Sequence, residues 1–113
     1  MLKIYGIKNC DSVKKAIKFA KTHELEYELR DFKTDPVDIT FISEWVKKSN
    51  IDKLFNTRGT TYRTLKLKEL NLDEKGKIEW LVKENMLIKR PVIEYSDNKL
   101  LVGFDQALYE KEL

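Results

Sequence analysis

Cysteine and histidine are scarce in this chain of 113 residues, which holds one of each, Cys10 and His23. A lone cysteine cannot close an internal disulfide, and any redox cycle built on it must borrow a second thiol. One histidine beside one cysteine leaves no Cys/His set for zinc, so no metal site and no bound cofactor are expected. Long apolar runs are missing as well. None approaches the roughly 20 residues that span a bilayer, and Met1-Leu2-Lys3-Ile4-Tyr5-Gly6 alternates in polarity where a signal peptide would carry an apolar core. The expectation is a cytoplasmic protein with no membrane partner. Neither sign of charge dominates, because 22 basic and 19 acidic residues leave a net +3. The sequence pI near 8.9 permits attraction to anions without signalling nucleic-acid binding.

What is present reads as one folded domain over residues 1–113. The 42% hydrophobic content and two prolines fit a compact chain, and this length buries roughly two-thirds of the surface that the unfolded form exposes. Leu2, Ile4 and Gly6-Ile7 read as a strand, after which the apolar period changes from two to about 3.6. Val13, Ala16, Ile17 and Ala20 then share one helical face, opposite Lys14, Lys15, Lys18 and Lys21. Tyr27, Leu29 and Asp31-Phe32 form a second strand, so residues 1–35 make a βαβ unit with parallel strands and a right-handed crossover.

Residues 36–88 have helical texture. Asp38 is a candidate N-cap for a helix carrying Phe41, Ile42, Trp45 and Val46. Ile51, Leu54 and Phe55 suggest a short helix. Asn56 to Thr61 reads as a polar loop with a capping threonine, and Tyr62 to Lys68 as a helical turn. Ile78, Leu81, Val82 and Met86 mark a further helix, and both Trp45 and Trp80 are assigned to core. From Lys89 to Leu113 the expectation is ββα: a hairpin through Val92, Ile93, Tyr95 and Leu100 to Val102, turning at Ser96-Asp97-Asn98, then a helix capped by Asp105. Together these elements give an α/β fold around a mixed, four-stranded sheet with a helical insertion.

Cys10 opens the first helix, where unpaired backbone N–H groups and the helix dipole favour a thiolate, and Lys8, Lys14 and Lys15 act in the same direction. The plain alternative is a small buried hydrophobe. The polar neighbours Asn9, Asp11 and Ser12 favour a reactive thiol. Val13 denies a C-x-x-C pair, and Ala16 denies the C-x₅-R anion loop of tyrosine phosphatases. A monothiol cycle resolved by glutathione or another external thiol remains open. The lysine stripe on the first helix reads as its solvated side, which makes direct DNA binding the weaker reading. His23, just after that helix, reads as a surface residue with no assigned role.

Several segments, taken in order, carry a family likeness: Ile4-Tyr5-Gly6-Ile7-Lys8-Asn9-Cys10-Asp11-Ser12-Val13-Lys14-Lys15-Ala16, Asn56-Thr57-Arg58-Gly59-Thr60, Lys89-Arg90-Pro91 and Leu101-Val102-Gly103-Phe104. The pattern resembles the ArsC, or arsenate reductase-like, family, and most of all its YffB-like and Spx-like branch. The resemblance implies a thioredoxin-like fold with a helical insertion, with the cysteine at the first helix N-terminus and a cis bond before Pro91 facing it. It implies Cys10 as nucleophile, Arg58 and Arg90 with Lys14 as binding groups for an oxyanion or thiol substrate, and Asn9 and Pro91 as structural residues at the site. Glutathione would be the co-substrate and glutaredoxin a further partner. Arsenate reductases of the family carry a third arginine where this chain has Gly103, and a histidine where it has Gly6. Those departures favour a glutathione-dependent thiol reductase, or a weak arsenate reductase, over a dedicated arsenate enzyme. The Spx-like branch implies an alternative, a transcriptional regulator that binds the RNA polymerase alpha subunit.

Overall fold

The computed structural model describes residues 1–113. Its packing divides the chain into one unit of Met1–Asp35 with Arg90–Leu113 and another of Pro36–Lys89. No helix is long and apolar enough to cross a membrane.

The first unit is built from β1 (Leu2–Gly6), α1 (Asp11–Thr22), β2 (Tyr27–Asp31), β3 (Val92–Tyr95), β4 (Lys99–Val102) and α6 (Gln106–Glu112). The sheet order is β2-β1-β3-β4. β1 runs parallel to β2, with Gly6 opposite Asp31. It runs antiparallel to β3, with Tyr5 opposite Val92. This βαβ plus ββα arrangement is the thioredoxin-like fold. Strand alternation sends Leu2 and Ile4 into a core with Val13, Ala16, Phe19 and Ala20 of α1 and Tyr109 of α6. β1 ends at Gly6 and β2 at Asp31, so Ile7 and Phe32, which the sequence pattern placed in strands, lie just beyond them. The loops there turn early because Asp31 spends its carboxylate on the loop backbone, as described below.

Tyr109 fastens α6 to the sheet. Its ring is 1% exposed, meets Phe19 edge to face at 5.5 Å, and its hydroxyl donates to the Gly103 carbonyl at 2.7 Å. Burial, with Asp105 as a smaller influence, holds the phenol well above its ordinary value. The unfolded chain ionises this phenol from about pH 10 while the folded state keeps it neutral. Its contribution to stability is therefore intact below that pH and is lost as pH rises through the folded-state value. Tyr109→Phe is expected to cost about 1 kcal/mol at neutral pH and to shrink the alkaline loss of stability. Urea melts at neutral pH and at about pH 10.5 check both effects.

The second unit holds α2 (Ile39–Lys48), α3 (Ile51–Leu54), α4 (Thr60–Thr64), a 3₁₀ turn (Leu67–Leu70), α5 (Glu74–Lys83) and a second 3₁₀ turn (Asn85–Leu87). Asp38 caps α2 by accepting from the Thr40 N–H at 3.0 Å. Trp45, Ile42, Leu54, Leu81 and Leu87 are among the unit's fully buried side chains. Asn85 is the buried polar exception and is fully used. It accepts from the Val37 N–H at 2.7 Å and donates to the carbonyls of Leu81 and Val37 at 2.8 and 3.2 Å, which ties the start of the unit to its end.

Two expectations for this unit are corrected. Trp80 is only half-buried and lies under the Lys83 ammonium, 4.7 Å from its ring centroid, because α5 packs through Leu81 instead. The cap of α4 is Gly59, not a threonine, and Thr60 is already helical. The helical turn expected from Tyr62 to Lys68 is broken at Lys66, whose φ of 54° ends α4 and starts the 3₁₀ turn.

Candidate functional site

Cys10 is the N-cap of α1, extended at φ −127° and ψ 126°, with its side chain in no capping hydrogen bond. Its carbonyl accepts the first helical bond, from the Lys14 N–H at 2.9 Å. The thiol is half-buried, its inner side packed against the core of α1, α6 and the sheet. A sulfur that is free of the cap and only partly covered stands beside the unpaired amides of the first helical turn. Lys8 and Asn9 form the exposed turn before it, and Lys14 is exposed on the first turn of the helix.

That turn is tied down from β2. Asp31, opposite the last residue of β1, accepts from the Lys8 N–H at 3.1 Å through one oxygen and from the Lys33 N–H at 2.8 Å through the other. The Phe32 N–H adds a bond to the Gly6 carbonyl at 2.8 Å. Asp31 thus positions the backbone two residues before Cys10. Sequence pattern alone treats it as one more strand residue, although Asp31-Phe32 leads straight into the turn-forming run Lys33-Thr34-Asp35-Pro36. Asp31→Ala is expected to cost about 1 kcal/mol and to speed exchange of the Lys8 amide proton. Asp31→Asn should fall between, since an amide replaces one of the two acceptors. Amide exchange by NMR checks this order.

Gly6, Arg90, Pro91 and Gly103 lie at the same end of the sheet. A Cβ on Gly6 would stand 2.6 Å from Val13 Cγ2 on α1 and 3.8 Å from the Arg90 Cβ, so Arg90 enters beside the first turn of the cysteine helix. Arg90 is half-buried, and the Arg90–Pro91 bond is cis, as the resemblance implies. The Gly103 N–H donates to the Pro91 carbonyl at 2.8 Å, and Gly103 has φ 82°.

Arg58 belongs to the other unit, at the surface of a loop with its own order. The Asn56 side chain accepts from the Arg58 N–H at 3.1 Å, an Asx turn that fixes the arginine backbone. The segment before it is held by the Asn56 N–H to the Leu87 carbonyl at 2.9 Å and by the Lys89 N–H to the Leu54 carbonyl at 2.7 Å. A single pairing of Phe55 with Ile88 lies between them. Cys10, Asn9, Lys14, Arg90 and Pro91 are therefore grouped in the first unit, and Arg58 is displayed by the second.

A sequence model of the ArsC family matches residues 5–111, a span that contains all of these positions. The chain belongs to the ArsC family. It is 40% identical over 111 residues to an uncharacterized protein of Haemophilus influenzae, covering 97% of this chain and 96% of that one. It is 25% identical over 108 residues to the global transcriptional regulator Spx of Listeria monocytogenes, covering 94% and 82%. The solved structure of the YFFB (PA3664) protein matches with a TM-score of 0.90 at 33% identity, covering 98% of this chain and 97% of that one. An arsenate reductase (ArsC) related protein from Brucella melitensis matches with a TM-score of 0.77 at 36% identity, covering 98% and 92%.

Both departures from the arsenate reductase pattern have a physical basis in this ArsC-family chain. At Gly6 no side chain fits without moving Val13, a β-branched residue with a stiff χ1 in a helix. At Gly103 the left-handed backbone disfavours any L side chain by roughly 1–2 kcal/mol. A histidine at position 6 would have to displace Val13, and an arginine at position 103 would carry the left-handed backbone cost.

Proposed function

We propose that this protein is a monothiol-dependent reductase whose nucleophile is Cys10. The Cys10 thiolate attacks one sulfur of a disulfide, forming a mixed disulfide and expelling the other half as a thiolate. An external thiol, glutathione or a glutaredoxin, then attacks the mixed disulfide and regenerates Cys10. The substrate half that was held on Cys10 leaves joined to that external thiol, and a second external thiol frees it, so that two external thiols give up one electron each and end in a disulfide with one another while the substrate disulfide is reduced. Arg58 and Arg90 bind the carboxylate or oxyanion of the substrate by paired, charge-assisted hydrogen bonds, and Lys14 adds positive charge. The observation that carries this reading is the half-buried Cys10 at the N-cap of α1 with its sulfur outside the cap. Arsenate is a poor substrate in this account, because Gly6 and Gly103 supply neither of the extra groups.

Arg58→Ala and Arg90→Ala are each expected to raise KM for a glutathione mixed disulfide about tenfold or more, with a smaller effect on kcat. Steady-state kinetics with glutathione and glutaredoxin, run in parallel with arsenate, tests the assignment. Arsenate turnover exceeding disulfide turnover would contradict it. The likeness to Spx, which spans 94% of the chain, favours a second reading. In it the protein binds the RNA polymerase alpha subunit, and pull-down with that subunit discriminates.

A further inference from the structure

The first unit carries an open groove of about 450 Å³ beside α1, whose walls include Lys15, Lys18, Phe19, His23 and Phe104. We infer that this groove docks an acidic peptide segment of a partner protein through an aliphatic side chain flanked by carboxylates. The inference goes beyond the thiol chemistry and does not depend on it.

Charge comes first. Lys15 and Lys18, one helical turn apart, are exposed at the rim. Lys14 and Lys21 continue the positive face of α1, and no acidic residue occurs between Asp11 and Glu24. No carboxylate is among the residues that line the groove, and those near it on α6 have partners of their own. Asp105 accepts from the Leu108 N–H at 3.1 Å, and Glu110 accepts from the Gln106 side chain at 2.9 Å. The rim therefore complements an anion.

The interior is apolar, so a bare anion would leave it unused. Phe19 is buried, and the His23 ring stacks on it with centroids 4.0 Å apart at 23°. His23 Nδ1 lies 3.0 Å from the Phe19 carbonyl, which can only accept, so Nδ1 carries the proton and Nε2 is left to an occupant. Phe104 meets Tyr109 edge to face at 4.9 Å. With one face of Phe19 covered by His23, the groove offers apolar walls suited to an aliphatic chain. Its exposed rim suits a chain that passes through, whereas small-molecule sites enclose most of their ligand.

A fluorescein-labelled dodecapeptide of Glu and Asp interspersed with leucine, titrated with the full-length protein, tests this by anisotropy. Binding that weakens with added salt is expected. It should fall about tenfold or more in Lys15→Glu/Lys18→Glu and in Phe104→Ala. It should persist in Cys10→Ser and in Lys47→Glu/Lys48→Glu, which makes the same charge change on α2. No binding by the wild type, an equal loss in the α2 control, or tighter binding of oligothymidylate than of the peptide would overturn the inference.

Discussion

Cys10→Ser is expected to lower disulfide turnover by roughly three orders of magnitude or more, while leaving the protein at least as stable as the wild type. The two halves of this result come from one position. The sulfur takes no part in the cap of α1, so the helix loses nothing when it is replaced. Serine is a preferred N-cap, and its hydroxyl can accept from the first-turn amides. The gain is on the order of 1 kcal/mol at most. Turnover with glutathione, measured beside a urea melt, separates the role in chemistry from the role in folding. Retained turnover would remove Cys10 from the mechanism, and a large loss of stability would mean that the sulfur serves the core instead.

Gly6→Ala is expected to destabilise the protein by about 1–3 kcal/mol, the usual cost of overpacking, and to disturb the first turn of the cysteine helix. Its new methyl would stand 2.6 Å from Val13 Cγ2. Val13 is fully buried and held in one rotamer by the helix, so the strain must be taken up by the β1–α1 connection that leads to Cys10. The clash is with a single methyl group, which makes the mechanism separable. In a Val13→Ala background the same substitution should cost less than about 0.5 kcal/mol, so that the double-mutant cycle shows strong coupling. Chemical denaturation of the four proteins in the cycle measures it. Additive losses would assign the cost of Gly6→Ala to the backbone and not to Val13.

The sequence was most informative where local pattern and tertiary role coincide. The change of period after Ile7, the polar pair Lys8-Asn9 and the apolar face of α1 together placed Cys10 at a helix start, and the cap geometry agrees. The hairpin at Ser96-Asp97-Asn98 and the Asp105 cap were legible for the same reason, since each depends on nearby residues. Contacts made at long range were not. Nothing local to Asp31 says that its carboxylate will hold the Lys8 amide, 23 residues away in sequence. Gly6 looked like a substitution in a motif, and the reason for it, the Val13 methyl, exists only once the helix packs back on the strand. Trp80 was assigned to the interior by helical spacing, but neighbouring Leu81 takes the buried direction.

The most direct test of the account is mass spectrometry of the wild-type protein after exposure to oxidised glutathione, followed by an excess of reduced glutathione. One glutathionyl group on Cys10, formed at neutral pH and removed by the reduced thiol, is the predicted result. A Cys10 that takes up no glutathionyl group, or holds one that reduced glutathione cannot release, would contradict a monothiol reductase cycle.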